Sequence, residues 1–339
     1  MILNWNGAGH LRRFLPSVLA SVPEGVGVVV ADNGSTDDSL GVLEREFPAV
    51  GRIVLDRNYG FAGGYNRALE YLDADYFILL NSDVETPAGW VEPLVETLDR
   101  DRTVAAVAPK LLSLVEPARF EYAGAASGGF IDYLGYPFCR GRILQCVERD
   151  EGQYDDARDV FWASGAAFCC RAEVFRALGG FDEDFFAHME EIDLCWRMQL
   201  AGYRVRIEPR SRVYHLGGGS LAQGSPSKVF YNHRNNLAML YKCASPVQRL
   251  PDAGASGLRA GRGTCVAGFS AGAQGAGRQA AGCSRCGEGK APGHILRVDR
   301  SALFIRSQTV RQVAVKGRRF ECDRCLMCRC SDGGDLSWR

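Results

Sequence analysis

The stretch of sequence that decides the fold reads Tyr76-Phe77-Ile78-Leu79-Leu80-Asn81-Ser82-Asp83-Val84-Glu85. Its apolar first half predicts a buried strand, and Asp83 follows where that strand ends. In an open α/β sheet, the carboxyl ends of the parallel strands form the usual ligand edge. A hard cation that carries substrate phosphates needs only one or two protein carboxylates, because phosphate oxygens and water complete its shell. Asp83 is therefore a candidate metal ligand, although the same residue could simply open a turn before a helix near Pro87.

Outward from this stretch, short apolar runs alternate with helical patterns through the first 110 residues. We predict strands at 26–31, 52–55, 76–80 and 104–108, and helices at 37–47, 62–72 and 92–98. Strands that alternate with helices of this length favour an α/β fold with a mostly parallel central sheet and helices on both faces. The first strand would end near Gly7, so we expect it to be very short or truncated.

The pattern between residues 111 and 243 is less regular. Residues 111–160 are rich in glycine and aromatic residues, which favours loops over a site. A strand pattern returns at 160–170, and we predict helices at 172–179 and 189–200, followed by strands at 204–207 and 212–214. These elements complete one predicted domain over residues 1–243.

The composition of the chain changes abruptly after Cys243. Residues 244–339 contain 16 Lys and Arg against 7 Asp and Glu, and 7 of the 13 Cys, although the whole chain has a formal net charge of zero. Much of this tail is rich in Gly, Ala and Arg without a sustained period, which favours disorder. A second hypothesis is that the tail is read in a shifted frame. Its last cysteines, Cys322, Cys325, Cys328 and Cys330, are spaced too tightly for a usual zinc site.

The sequence has no apolar run near the roughly 20 residues that a membrane-spanning helix requires. It also lacks the basic lead and small-residue cleavage site of a secretory signal peptide. We therefore predict a cytoplasmic location.

Two loops that follow predicted strands carry candidate ligand-binding residues. Asp32, at a strand tip, can accept hydrogen bonds from a base or ribose, or can form an Asx turn with its neighbours. The loop at 58–67 is rich in glycine and feeds a helix, where backbone can approach a ligand and anions are favoured. It matches neither a P-loop nor a dinucleotide-binding fingerprint, so a simple tight turn is the alternative.

A cluster of carboxylates surrounds the predicted helix at 189–200. They stand in two groups with His188 between them, and they exceed what a helix N-terminus requires: Asp182, Glu183 and Asp184, then Glu190, Glu191 and Asp193. Acidic residues are nonetheless favourable at a helix N-terminus without any function. Crowded carboxylates raise one another's pKa, which suits a general base. His215 follows a strand and could complete a metal site with Asp83, or could be a surface or core histidine.

Eight motifs stand in a fixed order along residues 1–243. They are Leu-Asn-Trp-Asn-Gly at 3–7, Ala-Asp-Asn-Gly-Ser-Thr-Asp at 31–37, Asn-Tyr-Gly-Phe-Ala-Gly-Gly at 58–64, Leu-Asn-Ser-Asp at 80–83, Ser-Gly-Ala at 164–166, Gly-Gly-Phe-Asp-Glu at 179–183, Glu-Glu-Ile-Asp-Leu-Cys-Trp-Arg at 190–197 and His-Leu-Gly-Gly-Gly-Ser at 215–220. Together they resemble glycosyltransferase family 2, particularly its rhamnosyltransferase-like branch. The family often has Asp where this chain has Glu191.

The resemblance implies a GT-A fold, a nucleotide-sugar donor, a divalent cation (Mg²⁺ or Mn²⁺) and inversion at the anomeric carbon. It implies Glu191 as the catalytic base, and Asp83 with His215 as metal ligands. The implied donor-binding residues are Asn4, Trp5, Asp32, Asn58, Gly60, Gly63, Asn66, Asn81 and Asp83. The implied acceptor-binding residues are Trp162, Ser164, Gly165 and Asp182.

The function that the resemblance implies is transfer of a sugar, rhamnose or another hexose, to a glycan or lipid-linked acceptor in polysaccharide or cell-wall synthesis. It also implies peripheral association with the inner face of the cell membrane, without a nucleic-acid partner. The alternative is a non-catalytic nucleotide-sugar-binding protein disabled by truncation. A nicotinamide oxidoreductase is disfavoured because the glycine-rich loop follows the wrong strand, and salt-sensitive DNA binding by the basic tail would indicate a nucleic-acid-binding arm.

Overall fold

A computed structural model of the chain describes residues 1–122, 129–143, 146–217 and 225–244. The predictions for residues 245–339, including the zinc-type cysteines and the two explanations of the tail, lie outside these residues. The last residues of the motif at 215–220 lie outside them too.

The strands are β1 (Ile2–Asn4), β2 (Val29–Asn33), β3 (Gly51–Leu55), β4 (Tyr76–Asn81), β5 (Val84–Glu85), β6 (Val104–Ser113), β7 (Gly129–Ile131), β8 (Pro137–Cys139), β9 (Arg142–Ile143), β10 (Cys146–Val147), β11 (Arg158–Val160), β12 (Ala167–Arg171) and β13 (Arg204–His215). The helices are α1 (Ala8–Ser21), α2 (Ser39–Glu46), α3 (Gly60–Leu69), α4 (Glu92–Arg100), α5 (Ala172–Ala177), α6 (Glu190–Leu200) and α7 (Pro226–Cys243), with a 3₁₀ turn at Glu183–Phe185.

Nine strands form one central sheet in the order β11-β13-β6-β12-β4-β1-β2-β3, with β5 paired to β13. β1 is parallel to β2 and β4, β2 to β3, and β6 to β13. β12 lies antiparallel between β4 and β6, so those two strands also run in the same direction. The predicted mostly parallel sheet is therefore confirmed. Its carboxyl edge collects the ends of β1, β2, β3, β4, β6 and β13.

Apolar side chains alternate between the two faces of the sheet, as the twofold period of a strand requires. In β4, Phe77 and Leu79 face the apolar cluster that holds α3, α5 and α6, whereas Leu80 faces the cluster that holds α1, α2 and α4. Helices therefore cover both faces, which confirms the predicted α/β layering. None of the helices in the described ranges is long and apolar enough to cross a membrane.

Several predicted bounds need correction. The two strands predicted at 204–207 and 212–214 are one strand, β13, whose pairing with β6 shifts register between Glu208 and Arg212. The partner β6 continues to Ser113, five residues beyond its predicted end. The region 111–160, predicted as loops, also contains the short antiparallel pairs β7–β8 and β9–β10. These pairs are two or three residues long, too short for periodicity to reveal them.

Candidate active site

The pairing of β5 with β13 brings Asp83 and His215 together at the carboxyl edge. Asp83 lies between β4 and β5, and His215, the last residue of β13, is the pairing partner of Val84. The Leu216 backbone N–H also donates to the Asp83 carbonyl at 3.0 Å. As a result, Asp83 Oδ1 lies 3.1 Å from His215 Nε2, and each side chain is only 7% exposed.

The electrostatics of this pair follow from its burial and its short contact. Burial alone would raise the pKa of Asp83, but the hydrogen bond and charge of His215 outweigh burial and lower it. Burial would likewise lower the pKa of His215, but hydrogen bonding and charge from Asp83 and from Glu121 raise it to about 10. Glu121 is itself buried, and its Oε2 lies 3.5 Å from His215 Nδ1.

The Asp83–His215 pair fits a divalent cation. A carboxylate oxygen and an imidazole nitrogen point at one another across 3.1 Å, and both are ligand types that Mn²⁺ accepts. The described part of the chain contains no cluster of three or more His, Cys, Asp or Glu residues that could hold a metal. Two protein ligands suit a cation whose remaining positions are filled by a substrate diphosphate and water.

Asn4 and Asp32 meet at the ends of the neighbouring strands β1 and β2. Asn4 Nδ2 donates to Asp32 Oδ1 at 3.1 Å, and the Ser35 N–H donates to Asp32 Oδ2 at 2.9 Å. The second contact is a local hydrogen bond between the side chain and the backbone three residues on, so Asp32 stabilises its own loop much as the Asx turn, the alternative that the sequence allowed, would do. Trp5 follows Asn4 directly and is 49% exposed, so a large aromatic side chain is open to solvent at the end of β1.

The glycine-rich loop is built around Asn58 and Gly60. Asn58 Oδ1 accepts from Asn33 Nδ2 at 3.1 Å and from the Gly60 N–H at 2.8 Å. Gly60 has φ of +72°, and a β-carbon there would lie 2.5 Å from the Phe186 carbonyl oxygen. A β-carbon at Gly63 would likewise be crowded, because it would lie 3.0 Å from a guanidinium nitrogen of Arg67. Gly60 therefore permits close packing against the loop that contains Phe186, and contact of either glycine with a donor stays a prediction.

Asn66 ties helix α3 to the loop before the acidic cluster. Its Nδ2 donates to the Phe181 carbonyl at 2.8 Å, and its Oδ1 accepts from the Phe181 N–H at 2.9 Å. Both ends of the amide are thus engaged with protein backbone. These contacts hold the loop at Phe181 in place, and the donor-binding role of Asn66 stays a prediction.

Helix α6 begins with two carboxylates that share a buried setting. Burial raises the pKa of Glu191 to about 7, and burial together with the Glu191 charge raises that of Glu190 well above its ordinary value. Within the described residues, Oε2 of each carboxyl group is buried without a hydrogen-bond partner. Glu190 is 4% exposed, whereas Glu191 is only partly buried. Glu191 is therefore the more accessible member of the pair.

Asp193, on the same helix, has a different role from its two acidic neighbours. Its Oδ2 accepts from Arg197 at 2.7 Å and from Lys242 at 3.0 Å, and the side chain is fully buried. Asp182, a predicted acceptor-binding residue, also uses both oxygens, one for the Asp184 N–H and one for Lys242. These two carboxylates are neutralised by structural partners.

The segment between β11 and β12 links the two halves of the site. The Asn81 N–H, at the end of β4, donates to the Ala166 carbonyl at 3.0 Å. On the other side, a β-carbon at Gly165 would lie 3.9 Å from the β-carbon of Glu191 and 3.3 Å from the Phe61 ring. Ser164 is nearly buried, and its Oγ accepts from the Ala166 N–H. The predicted acceptor residues Ser164 and Gly165 therefore stand between the end of β4 and the predicted base.

Trp162 lies deeper than its predicted role requires. It is 5% exposed, its indole N–H donates to the Phe130 carbonyl at 3.0 Å, and its ring leaves no room for a β-carbon at Gly129. Its part in acceptor binding stays a prediction.

Sequence reasoning missed four residues that shape this site: Glu121, Asn235, Lys242 and Arg234. Glu121 lies behind His215, and the other three belong to α7 and contact the segment between Asp182 and Asp193. For Arg234 and Asn235 the signal available was the polar run 232–236, because buried polar residues in a helix require partners.

Residues 1–143 match the model of glycosyl transferase family 2. The chain is 29% identical over 245 residues to N-acetylglucosaminyl-diphospho-decaprenol L-rhamnosyltransferase of Mycobacterium tuberculosis, a match that covers 68% of this chain and 80% of that protein. It is 32% identical over 235 residues to pre-mycofactocin glycosyltransferase of the same organism, covering 67% of this chain and 44% of that one.

Two solved structures share the fold. GalNAc-T7, determined with UDP, GalNAc and Mn²⁺, aligns with a TM-score of 0.54 at 18% identity, over 71% of this chain and 46% of that one. Mannosyltransferase PcManGT from Pyrobaculum calidifontis, in complex with GDP-Man and Mn²⁺, aligns with a TM-score of 0.51 at 16% identity, over 81% and 74%. With the sheet order and the family match, these alignments identify the GT-A fold. The chain is a glycosyltransferase and belongs to glycosyltransferase family 2.

Proposed function

We propose that this chain moves a sugar, rhamnose or another hexose, from a nucleotide-diphospho-sugar to a hydroxyl group of a glycan or lipid-linked acceptor, with inversion. One observation supports the proposal: segment 164–166 contacts Asn81, two residues before the Asp83–His215 pair, and it lies against the Glu191 side chain at Gly165. A single displacement requires both a group that stabilises the leaving group and a base that takes the acceptor proton, and these residues would supply them.

The donor half of this proposal uses the ends of β1 to β4. Asp32 would accept hydrogen bonds from the nucleoside, with the exposed Trp5 ring beside it, and the glycine-rich loop would lie close to the diphosphate. Asp83 and His215 would hold a divalent cation, Mg²⁺ or Mn²⁺. When bound, that cation would stabilise the negative charge that develops on the nucleoside diphosphate leaving group. The bound Mn²⁺ in both solved structures of this fold supports the choice of cation.

The acceptor half uses Glu191 as general base. The acceptor hydroxyl oxygen forms a bond to the anomeric carbon while the bond from that carbon to the diphosphate oxygen breaks. The hydroxyl proton passes to the Glu191 carboxylate. A pKa of about 7 suits this task, because the group is then partly ionised at neutral pH and still basic enough to accept a proton. One displacement inverts the anomeric configuration without a covalent intermediate.

A lipid-linked acceptor is favoured by the relative named as N-acetylglucosaminyl-diphospho-decaprenol L-rhamnosyltransferase, which the chain matches over 80% of its length. Such an acceptor resides in a membrane. We therefore propose that the protein works at the inner face of the cell membrane by peripheral association.

A donor screen tests this function. The purified protein is incubated with UDP-, GDP- and dTDP-linked hexoses and deoxyhexoses, with Mn²⁺ or Mg²⁺, and release of nucleoside diphosphate is measured with and without polyprenyl-diphosphate acceptors. We expect one donor to be consumed and the product linkage, assigned by NMR, to be inverted. A product of retained configuration would overturn the displacement scheme. Binding of a donor without any turnover would instead indicate a nucleotide-sugar-binding protein.

A further inference from the structure

The segment that precedes Glu190 and Glu191 has an unusual backbone. In residues 185–189, which we call the base loop, Phe186, His188 and Met189 have φ of +60°, +71° and +75°. Among the described residues, the only other non-glycine residue with positive φ is Asn6. Such residues have a strained backbone, which persists only where the surroundings over-determine it. Three of them immediately before the predicted base require an external support.

Asn235 of α7 supplies that support. It is fully buried, and its Nδ2 lies 2.9 Å from the Phe185 carbonyl oxygen, 2.8 Å from that of Ala187 and 2.6 Å from that of His188. Its two amide hydrogens are therefore shared among three base-loop carbonyls. Asn235 Oδ1 accepts from Arg234 Nε at 2.8 Å, which fixes the orientation of the amide.

Arg234 supports the start of the base loop and the residue before it. Its Nη2 donates to the carbonyls of Asp184 and Phe185, at 2.7 and 3.0 Å. From the opposite side, the Phe61 N–H donates to the Phe186 carbonyl at 2.7 Å, where Gly60 permits the close approach. The base loop is thus held between α7 and the glycine-rich loop.

The hydrogen bonds of Asn235 end on the loop and not on α6. Met189, the residue before α6, is in the left-handed region, so a change in the base loop re-aims the first turn of that helix. Glu190 and Glu191 occupy this turn. Since the carboxyl groups themselves lack hydrogen-bond partners at Oε2 in the described residues, backbone geometry is the main determinant of where Glu191 points.

We propose that Asn235 is a positioning residue for sugar transfer, which fixes the strained base loop and through it the Glu191 carboxylate. This inference rests on the proposed function, because it assigns Asn235 a task in the proton transfer by Glu191. Asn235 touches no part of the Asp83–His215 pair or of Asp32 in the contacts described, so donor binding is independent of it.

The chain offers a matched control in the next residue. Asn236 is also buried on α7, but its Nδ2 donates to the Gly135 carbonyl at 2.7 Å, away from the base loop. Asn235→Asp and Asn236→Asp make the same chemical change, loss of an amide donor at nearly constant size. Both are compared with the parent by steady-state transfer assays, with circular dichroism to verify folding.

For Asn235→Asp we expect kcat to fall by about 100-fold, the scale of a misplacement near 1 Å, with the donor KM within about twofold of the parent. Asn236→Asp should keep both constants within about threefold. If Asn235→Asp does not fold, Asn235→Ser, which retains one donor, should fold and show a smaller loss confined to kcat. A folded Asn235 variant with parental kcat, or one that raises the donor KM as much as it lowers kcat, overturns the inference alone. A parent that transfers no sugar from any donor overturns the proposed function and the inference with it.

Discussion

The two sides of the site reach their geometry by different physical means. On the donor edge, defined by Asn4, Asp32, Asn58 and Asp83, side chains bond to one another, and glycines such as Gly34 and Gly60 occupy the left-handed backbone positions. On the base side, Phe186, His188 and Met189 occupy such positions at a cost, and two carboxyl groups are buried close together. The difference teaches that the donor edge is held mainly by hydrogen bonds between side chains, whereas the base side combines strained backbone with poorly solvated carboxyl groups.

The sharpest test of this contrast is Glu191→Gln. The variant should still bind the nucleotide sugar, since the proposed donor contacts come from other loops. Transfer should fall by roughly 100- to 10,000-fold, the usual worth of a positioned general base. Transfer is measured by product formation, and donor binding by calorimetry with the nucleoside diphosphate and Mn²⁺.

Its neighbours serve as controls. Glu190→Gln should lower transfer less, and Asp193→Asn should mainly lower the melting temperature, because Asp193 bonds to Arg197 and Lys242. If Asp193→Asn abolished transfer in a stable protein while Glu191→Gln remained active, the base would have to be reassigned. If all three variants stayed active, the acidic run would be a helix cap only.

Asp83→Asn probes the donor edge. The substitution keeps size but removes the charge that would hold a cation on the diphosphate, so turnover should fall by about 100-fold or more. The amide can still bond to His215, and we expect a folded protein by circular dichroism. Chelation with EDTA should reduce the parent to a similar level. Equal activity of the parent with and without EDTA would remove Asp83 and His215 from the mechanism.

Glu121→Gln tests whether the carboxylate behind His215 orients the imidazole. Partners of a metal-binding histidine typically contribute 10- to 100-fold in metal affinity, so we expect about that loss in Mn²⁺ affinity. Affinity is measured by electron paramagnetic resonance of free Mn²⁺ in the presence of UDP. Glu116→Gln is the control, since Glu116 is 65% exposed and pairs with Arg119. Equal affinities for the two variants would contradict a role for Glu121.

The smallest expected effect concerns stability. The pKa of Glu191 is raised from its ordinary 4.5 to about 7, so the folded state keeps a proton that the unfolded state has lost between those values. Stability from this group is complete below about pH 4.5 and is lost as the pH rises through about 7. Glu191→Gln should therefore melt higher than the parent at pH 8 by a few degrees, on a scale of about 2–4 °C per kcal/mol. A melting difference that is constant from pH 5 to pH 8 would contradict the buried, protonated state.

The sequence predicts the donor edge better than the base side, for a physical reason. β4 is a short apolar run followed by Asp83, so local pattern suffices, and β3 and α4 also fall within a few residues of their predicted bounds. Glu191 was identified by resemblance and by the density of carboxylates, not by any property of the residue itself.

Contacts between distant segments explain what was missed. The support of the base loop by Asn235 joins residues 47 to 50 positions apart, and no periodicity encodes it. The pairing of Asp83 with His215 spans 132 positions. The sequence predicts it only as one of two alternatives, the other being a surface or core histidine. The strained residues Phe186, His188 and Met189 adopt a backbone that their own propensities disfavour, so tertiary contacts decide it.

The hydrogen bonds at Asp32 have a further consequence for the thermodynamics of binding. Both oxygens of this carboxylate already hold hydrogen bonds, from Asn4 and from the Ser35 N–H, so its rotamer is fixed before any nucleotide arrives. Immobilising a side chain at an interface costs about 0.5–1.5 kcal/mol, and here that entropy is given up during folding. The ordering entropy of donor binding should therefore come mainly from the ligand, and nucleosides of different flexibility should differ in binding entropy more than in enthalpy.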